Sequence, residues 1–315
     1  MIEVANLTKT YPGVVAVNAI SFKVEKGEIA GFLGPNGAGK STTMRILTCF
    51  IAPTSGAASV AGFDVVRQSM DVRRRVGYLP ESNPLYTEMR VEEYLHFRAR
   101  IKGVARADRP KRVDEVLEKV SLTERRRSII QHLSKGLRQR VGLADAIVHN
   151  PEIIILDEPT IGLDPTQVRD IRKLIGDLGK DKTVLFSSHI LSEVEKVCGR
   201  VLIIHRGRMV AQGTPEEIAN RLVTKGRVRL EVRGDGRAIK AVLEKVQGVG
   251  PIIWEARGNT NTYIVAASDG QDLRPELFRC CAANGFEMCE LAYERISLED
   301  LFMTVTEREV QEPAP

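Results

Sequence analysis

Hydrophobic and polar positions alternate along residues 2–11 and again along 20–25, the period-two pattern of half-buried strands, and the two runs predict an antiparallel pair. Lys26-Gly27-Glu28 then turns the chain into residues 29–33, which are apolar throughout, as a buried strand requires. Similar apolar runs follow at 153–156, 184–186 and 201–204 with helical patterns between them, and this alternation implies a doubly wound α/β sheet. Short strands are expected around 58–60 and 76–79, the first preceded by a turn at Pro53-Thr54-Ser55-Gly56. Residues 88 to about 147 read as helical throughout. Val91, Tyr94, Leu95 and Ile101 mark one amphipathic face, and Val113, Val116, Leu117 and Val120 mark another. A helical block is thus inserted within an α/β domain.

The character changes near residue 222. Residues 228–232 alternate strictly, and the pattern then predicts a helix over 238–246, strands over 251–256 and 262–267, a helix over 272–284 and a strand over 286–293. The order βαββαβ is that of a small α+β ferredoxin-like domain. A last helix is expected from about Leu298, and a disordered end over 307–315. The division expected is therefore an α/β domain over 1–220, with its helical part at about 82–147, and an accessory domain over 221–306.

Composition narrows the class only a little. With 315 residues, 43% hydrophobic and 28% charged, the chain has the make-up of an ordinary globular protein with room for two cores. A net charge of +5 suits an anionic ligand or a membrane surface without demanding nucleic acid. The runs Arg73-Arg74-Arg75 and Arg125-Arg126-Arg127 read as solvated faces or loops rather than binding patches. No apolar run is long enough to span a bilayer, and Met1-Ile2-Glu3-Val4 does not open a signal peptide, so a cytoplasmic protein is expected. Five cysteines without C-x-x-C spacing argue against disulfides or zinc; Cys281, at helical spacing with Leu273, Leu277 and Phe278, reads as core.

The candidate chemistry begins after the strand at 29–33. Gly34-Pro35-Asn36-Gly37-Ala38-Gly39-Lys40-Ser41 fits G-x-x-x-x-G-K-[ST], and Thr42 continues it into a helix. Glycines at 34, 37 and 39 permit positive φ and leave no side chain to obstruct a phosphate. Backbone N–H groups at a helix N-terminus favour that anion. Lys40 is expected on the β- and γ-phosphates of ATP and Ser41 on Mg²⁺. The strand at 153–156 ends in Asp157-Glu158, where an α/β sheet places its ligand. Asp157 is expected to hold Mg²⁺ and Glu158 to polarise the attacking water. Ser187-Ser188-His189 ends the next apolar strand, so His189 should reach the γ-phosphate from the same edge and hold Glu158 in position. Tyr11, before Pro12-Gly13, offers a ring that stacks on adenine or simply packs on the turn. His96, His132, His149 and His205 have no such placement and read as surface or core. Leu133-Ser134-Lys135-Gly136-Leu137-Arg138-Gln139-Arg140 opens a helix with Ser134 as its N-cap.

That last run resembles the signature motif of ABC-transporter ATPases, usually Leu-Ser-Gly-Gly-Gln. The family's other elements stand in order: Tyr11 as A-loop, 34–41 as Walker A, 77–81 as Q-loop, 153–158 as Walker B, 162–165 as D-loop and His189 as switch histidine. The resemblance covers about residues 1–220. The tail, with Ser297-Leu298-Glu299-Asp300-Leu301-Phe302, is similar to the accessory domain of type-2 exporter ATPases, and residues 77–86 resemble the gliding-motility and multidrug-export branches. The implied fold is a P-loop NTPase cassette with an antiparallel β subdomain and a helical subdomain. The implied activity is ATP hydrolysis in a head-to-tail dimer of two copies, in which Ser134, Lys135 and Gly136 complete the γ-phosphate site in trans. The implied partner is a transmembrane permease, met through residues 81 to about 100, with the chain peripheral on the inner face of the cell membrane. Two positions depart from the family pattern. Glu81 replaces the Q-loop glutamine and can ligate Mg²⁺ as a carboxylate. Lys135 adds a cation that either assists phosphate binding or points to solvent.

Two other classes fit the sequence less well. Soluble ABC ATPases of translation or DNA repair usually fuse two cassettes or insert coiled coils or zinc modules, which this chain lacks. A nucleic-acid-binding regulator would carry an aromatic-rich run in the tail strands; none occurs, and no nucleic-acid partner is expected.

Overall fold

The computed structural model describes residues 1–222, 227–257, 260–267 and 271–294 of the chain. It forms two compact units, Met1–Thr214 and the part from Pro215 onward.

Strands β1 (Ile2–Tyr11) and β2 (Val14–Val24) pair antiparallel from Ile2↔Val24 to Tyr11↔Val14. The strand predicted over 20–25 thus starts earlier, at Val14. Val14 and Val15 are exposed, so no alternation marks them. A sheet of order β2-β1-β4-β5 follows, with β4 (Ser55–Val60) and β5 (Phe63–Asp64).

The central sheet has six strands: β3 (Ile29–Leu33), β6 (Val76–Leu79), β7 (Ile153–Leu156), β8 (Thr183–Ser188), β9 (Arg200–His205) and β10 (Arg208–Gly213). Their order is β10-β9-β3-β8-β7-β6, parallel except for β10. Every residue of β7 and β8 is buried, which explains the uninterrupted apolar runs. Because β8 lies between β3 and β7, the loops after these strands open on one edge of the sheet.

Helices α1 (Lys40–Leu47), α2 (Ser69–Arg75), α6 (Pro165–Gly179) and α7 (Leu191–Val194) connect the strands. The block expected to be helical throughout is three helices, α3 (Val91–Ile101), α4 (Arg109–Lys119) and α5 (Lys135–Ile147). Gly103, at φ 79°, stops α3, Pro110 opens α4, and Ser121, at φ 58°, follows its end. Residues 120–134 then run as loop with two short 3₁₀ turns. Val91, Tyr94 and Leu95 are buried as the pattern requires, but Ile101 is exposed at the end of α3.

The second unit holds α8 (Pro215–Leu222), β11 (Arg227–Arg233), α9 (Gly236–Leu243), β12 (Val249–Arg257), β13 (Thr260–Ala267), α10 (Arg274–Ala283) and β14 (Glu287–Glu294). The sheet order β12-β13-β11-β14 is antiparallel, the ferredoxin-like topology expected from the βαββαβ pattern. Its core joins Leu230, Ile239, Leu243, Tyr263, Leu277 and Cys281. Phe278 is 57% exposed, so the apolar stripe that pairs Leu277 with Cys281 does not include it. The helix expected from Leu298 and the disordered end at 307–315 lie outside the described residues.

Candidate functional site

The phosphate loop runs from Gly34 to Ser41 between β3 and α1. Gly37 at φ 81° and Gly39 at φ 104° use the left-handed region that glycine allows. Gly34 does not; glycine is needed there because a Cβ would overlap the Ile204 carbonyl oxygen. Pro35 accepts the Ala38 N–H at 3.2 Å, which tightens the turn, and Asn36 is exposed at its tip. Helix α1 begins with no side-chain cap and no acid in its first turn, so its leading N–H groups, with Thr42 among the first helical residues, are free to meet an anion.

Lys40 is buried. Its ammonium donates to the carbonyls of Gly34 at 2.7 Å and Pro35 at 3.2 Å. It also lies 3.0 Å from Glu158 Oε1, an ion pair without hydrogen-bond alignment. The other carboxylate oxygen, Oε2, is 2.9 Å from His189 Nδ1. Glu158 itself stands at φ 49°, a strained conformation for a residue with a side chain. Ser187 Oγ accepts the Glu158 N–H at 2.9 Å and donates to Asp157 Oδ1 at 2.7 Å. Ser41 Oγ donates to the same Oδ1 at 3.1 Å. Burial lifts the Asp157 carboxyl above the usual carboxylate range, against the two hydroxyl hydrogen bonds and in step with its neighbour Glu158.

The structure thus brings Lys40, Ser41, Asp157, Glu158 and His189 into one cluster. Tyr11 is 38% exposed at the hairpin tip. It pairs with Val14, close in sequence to Ala16, whose carbonyl oxygen a Cβ on Gly39 would overlap. The signature segment stands apart: among the described residues no hydrogen bond or ion pair joins Ser134, Lys135 or Gly136 to the phosphate loop. Ser134 caps α5 by accepting the Leu137 N–H at 3.3 Å. Gly136 is buried against the Gln167 amide, and Lys135 extends over Gly162. Glu81 lies just past Leu79, the register partner of Leu156; it is exposed and forms no ion pair among the described residues.

Three residues of the site escaped the sequence reading. Ser187 links the two acids. Glu193 accepts from Thr160 Oγ1 and Ser188 Oγ, joining the loops after β7 and β8. Gln139 on α5 donates to the Pro159 carbonyl at 3.0 Å and ties the signature helix to the acidic loop. A hydroxyl ending an apolar strand was the one available signal, for Ser187.

A phosphate loop and an acidic pair on neighbouring stretches of one sheet edge, with a capped helix inserted between them in sequence, define a P-loop ATPase of the cassette type. The ABC transporter family profile matches residues 17–161. The chain is 31% identical over 314 residues to the linearmycin resistance ATP-binding protein LnrL of Bacillus subtilis, covering 99% of this chain and 100% of that one. It is 34% identical over 307 residues to the bacitracin transport ATP-binding protein BcrA of Bacillus licheniformis, covering 96% of each. A dimeric ATP-binding cassette solved in a post-hydrolysis state with ADP and Pi superposes with a TM-score of 0.63 at 26% identity, covering 68% of this chain and 98% of that one. The chain belongs to the ABC transporter family, as one of its ATP-binding and ATP-hydrolysing subunits of the exporter kind. A soluble role in translation or DNA repair is not favoured by these relatives.

Proposed function

We propose that the chain hydrolyses MgATP with Glu158 as base, inside a head-to-tail dimer of two copies that drives a separate transmembrane permease. The observation that carries this reading is the placement of Glu158, with one carboxylate oxygen 3.0 Å from Lys40 Nζ and the other 2.9 Å from His189 Nδ1. Residues Gly34 to Thr42 cradle the phosphates and Tyr11 stacks on the adenine. Lys40 exchanges Glu158 for the β- and γ-phosphates when nucleotide enters. The freed carboxylate then takes a proton from the attacking water, as the γ-phosphorus gains that oxygen and releases the bridging oxygen of ADP. His189 holds the carboxylate and donates toward the γ-phosphate. Ser134, Lys135 and Gly136 serve the nucleotide of the other copy, which agrees with their lack of a bond to their own phosphate loop.

The donor set suits Mg²⁺. Ser41 and Asp157 offer hard oxygens 3.1 Å apart, and a bound dication offsets the burial that raises the Asp157 carboxyl. Glu81 is the third candidate ligand. When bound, the metal neutralises phosphate charge.

A cavity of about 450 Å³ beside Glu81, lined by Phe50, Tyr78, Pro80, Ser82, Pro84 and Arg98 among others, suits a helix of the permease. Phe50 is 72% exposed at its mouth. No helix among the described residues is long and apolar enough to cross a membrane. The chain is therefore proposed to sit on the inner face of the cell membrane through that partner. The test compares wild type with Glu158→Gln. Turnover should fall by about 10²-fold or more, with an ATP-held dimer visible in light scattering. Equal turnover would remove Glu158 from the role of base.

A further inference from the structure

The run Arg125-Arg126-Arg127 does not behave as one solvated face. Arg126 points to acids, 2.7 Å from Glu92 Oε2 and 3.0 Å from Asp114 Oδ1. Arg125 and Arg127 form no ion pair among the described residues. With Arg90, Ser128 and His132 they line a cavity of about 450 Å³ whose lining includes no carboxylate residue. Leu133 and Leu137 close it on the side of the signature helix.

The frame is held by backbone. Residues 87–92 and 126–131 run together as a short antiparallel ladder: the Glu92 N–H donates to Arg126 O at 2.9 Å, Val91 to Ser128 O at 3.1 Å, Ile130 to Met89 O at 3.0 Å and Gln131 to Thr87 O at 2.9 Å. The Arg90 guanidinium also donates to the Arg127 carbonyl, and its one ion pair among the described residues, with Glu93, is long at 3.8 Å. Guanidinium groups gathered in one cavity repel one another unless an anion joins them, and their forked donors match phosphate oxygens. We propose that this pocket is a second anion site, distinct from the phosphate loop, that takes a phosphate group. The carrier is a phospholipid headgroup or a free phosphate compound, and Arg125, Arg127 and the Ser128 hydroxyl supply the donors.

The test titrates pyrophosphate into the full chain by calorimetry, with saturating ADP present, and repeats the titration on Lys40→Ala. The readout then does not depend on the phosphate loop. Wild type and Lys40→Ala should bind alike. Arg125→Gln/Arg127→Gln should bind about tenfold or more weakly, the loss of one or two charge-assisted hydrogen bonds. Arg126→Gln removes a charge next door and should bind as wild type. Co-sedimentation with phosphatidylcholine vesicles, with and without phosphatidylglycerol, separates the carriers. Retention on the anionic vesicles that the double variant loses assigns the lipid; pyrophosphate binding without retention assigns a free phosphate compound. No measurable pyrophosphate binding, or an Arg126→Gln loss equal to that of the double variant, overturns the proposal.

Discussion

Thr160 Oγ1 donates a 2.6 Å hydrogen bond to Glu193 Oε2, across 33 residues of sequence. The same oxygen accepts from Ser188 Oγ at 3.1 Å, so one buried carboxylate fastens the loop after Glu158 to the end of β8, just before His189. Glu193→Ala leaves the Thr160 hydroxyl without its acceptor and the Ser188 hydroxyl with only the Ile190 carbonyl at 3.4 Å, and should cost about 1–3 kcal/mol of stability in urea unfolding. Glu193→Gln keeps an acceptor and should cost less. Both should lower kcat more than they raise KM for ATP, because the residue touches neither nucleotide nor metal in the proposed site.

Asp157 gives a prediction whose sign is set by burial. Its carboxyl titrates above the usual range, so between that range and its folded value the folded state holds more protons than the unfolded chain. Stability therefore falls as pH rises through that window, and the nucleotide-free protein carries the cost at neutral pH. Asp157→Asn should melt at the same or a higher temperature than wild type at pH 7.5, and this advantage should shrink near pH 4. Addition of MgATP should raise the melting temperature of wild type and not of the variant.

His149 acts in the opposite direction. Burial, reinforced by the Lys102 charge, lowers its pKa to about 4, against the 3.2 Å interaction with the Val76 carbonyl. The unfolded chain binds the extra proton between the ordinary histidine range and that value, so stability is lost as pH falls from about 6.5 to about 4. The full effect is about 3 kcal/mol for a change of this size. His149→Gln should flatten that limb of the stability-against-pH curve, measured by urea unfolding at each pH.

Two glycines separate fold from function. A Cβ on Gly34 would strike the backbone carbonyl of Ile204, which cannot move without disturbing β9. Gly34→Ala should therefore destabilise by about 1–3 kcal/mol. A Cβ on Gly136 would strike only the far end of the Gln167 side chain, which can swing away. Gly136→Ala should leave thermal unfolding within about 0.5 kcal/mol of wild type while weakening ATP-dependent dimerisation.

What the chain announced in advance was the local part. The apolar run before Gly34 and the buried β7 strand before Asp157 are continuous signals, and each delivers its loop to the sheet edge. The alternation at 228–232 and the helices around it were enough to name the ferredoxin-like topology. What stayed hidden was set by contacts distant in sequence. Glu193 sits in a four-residue helix and carries no pattern of its own. Ser187 matters because β8 lies beside β7. The apolar spacing of the helical block persists across the segment at 120–134, since Leu122, Ile130 and Leu133 are buried there without α-helix. Arg126 differs from its neighbours only through Glu92 and Asp114, which no reading of the run itself could supply.

Glu158 occupies a backbone conformation suited to glycine or asparagine, held there by the Ser187 hydroxyl on its N–H. Every other side chain would share the strain, which at this position stands against the buried ion pair with Lys40. Glycine at 158 would relieve that strain but would leave Lys40 buried without its carboxylate, so the two effects on stability oppose each other. For anyone engineering this cassette, residue 158, the proposed base, is a place where backbone strain, a buried ion pair and turnover meet, and melting temperature and activity have to be assayed together.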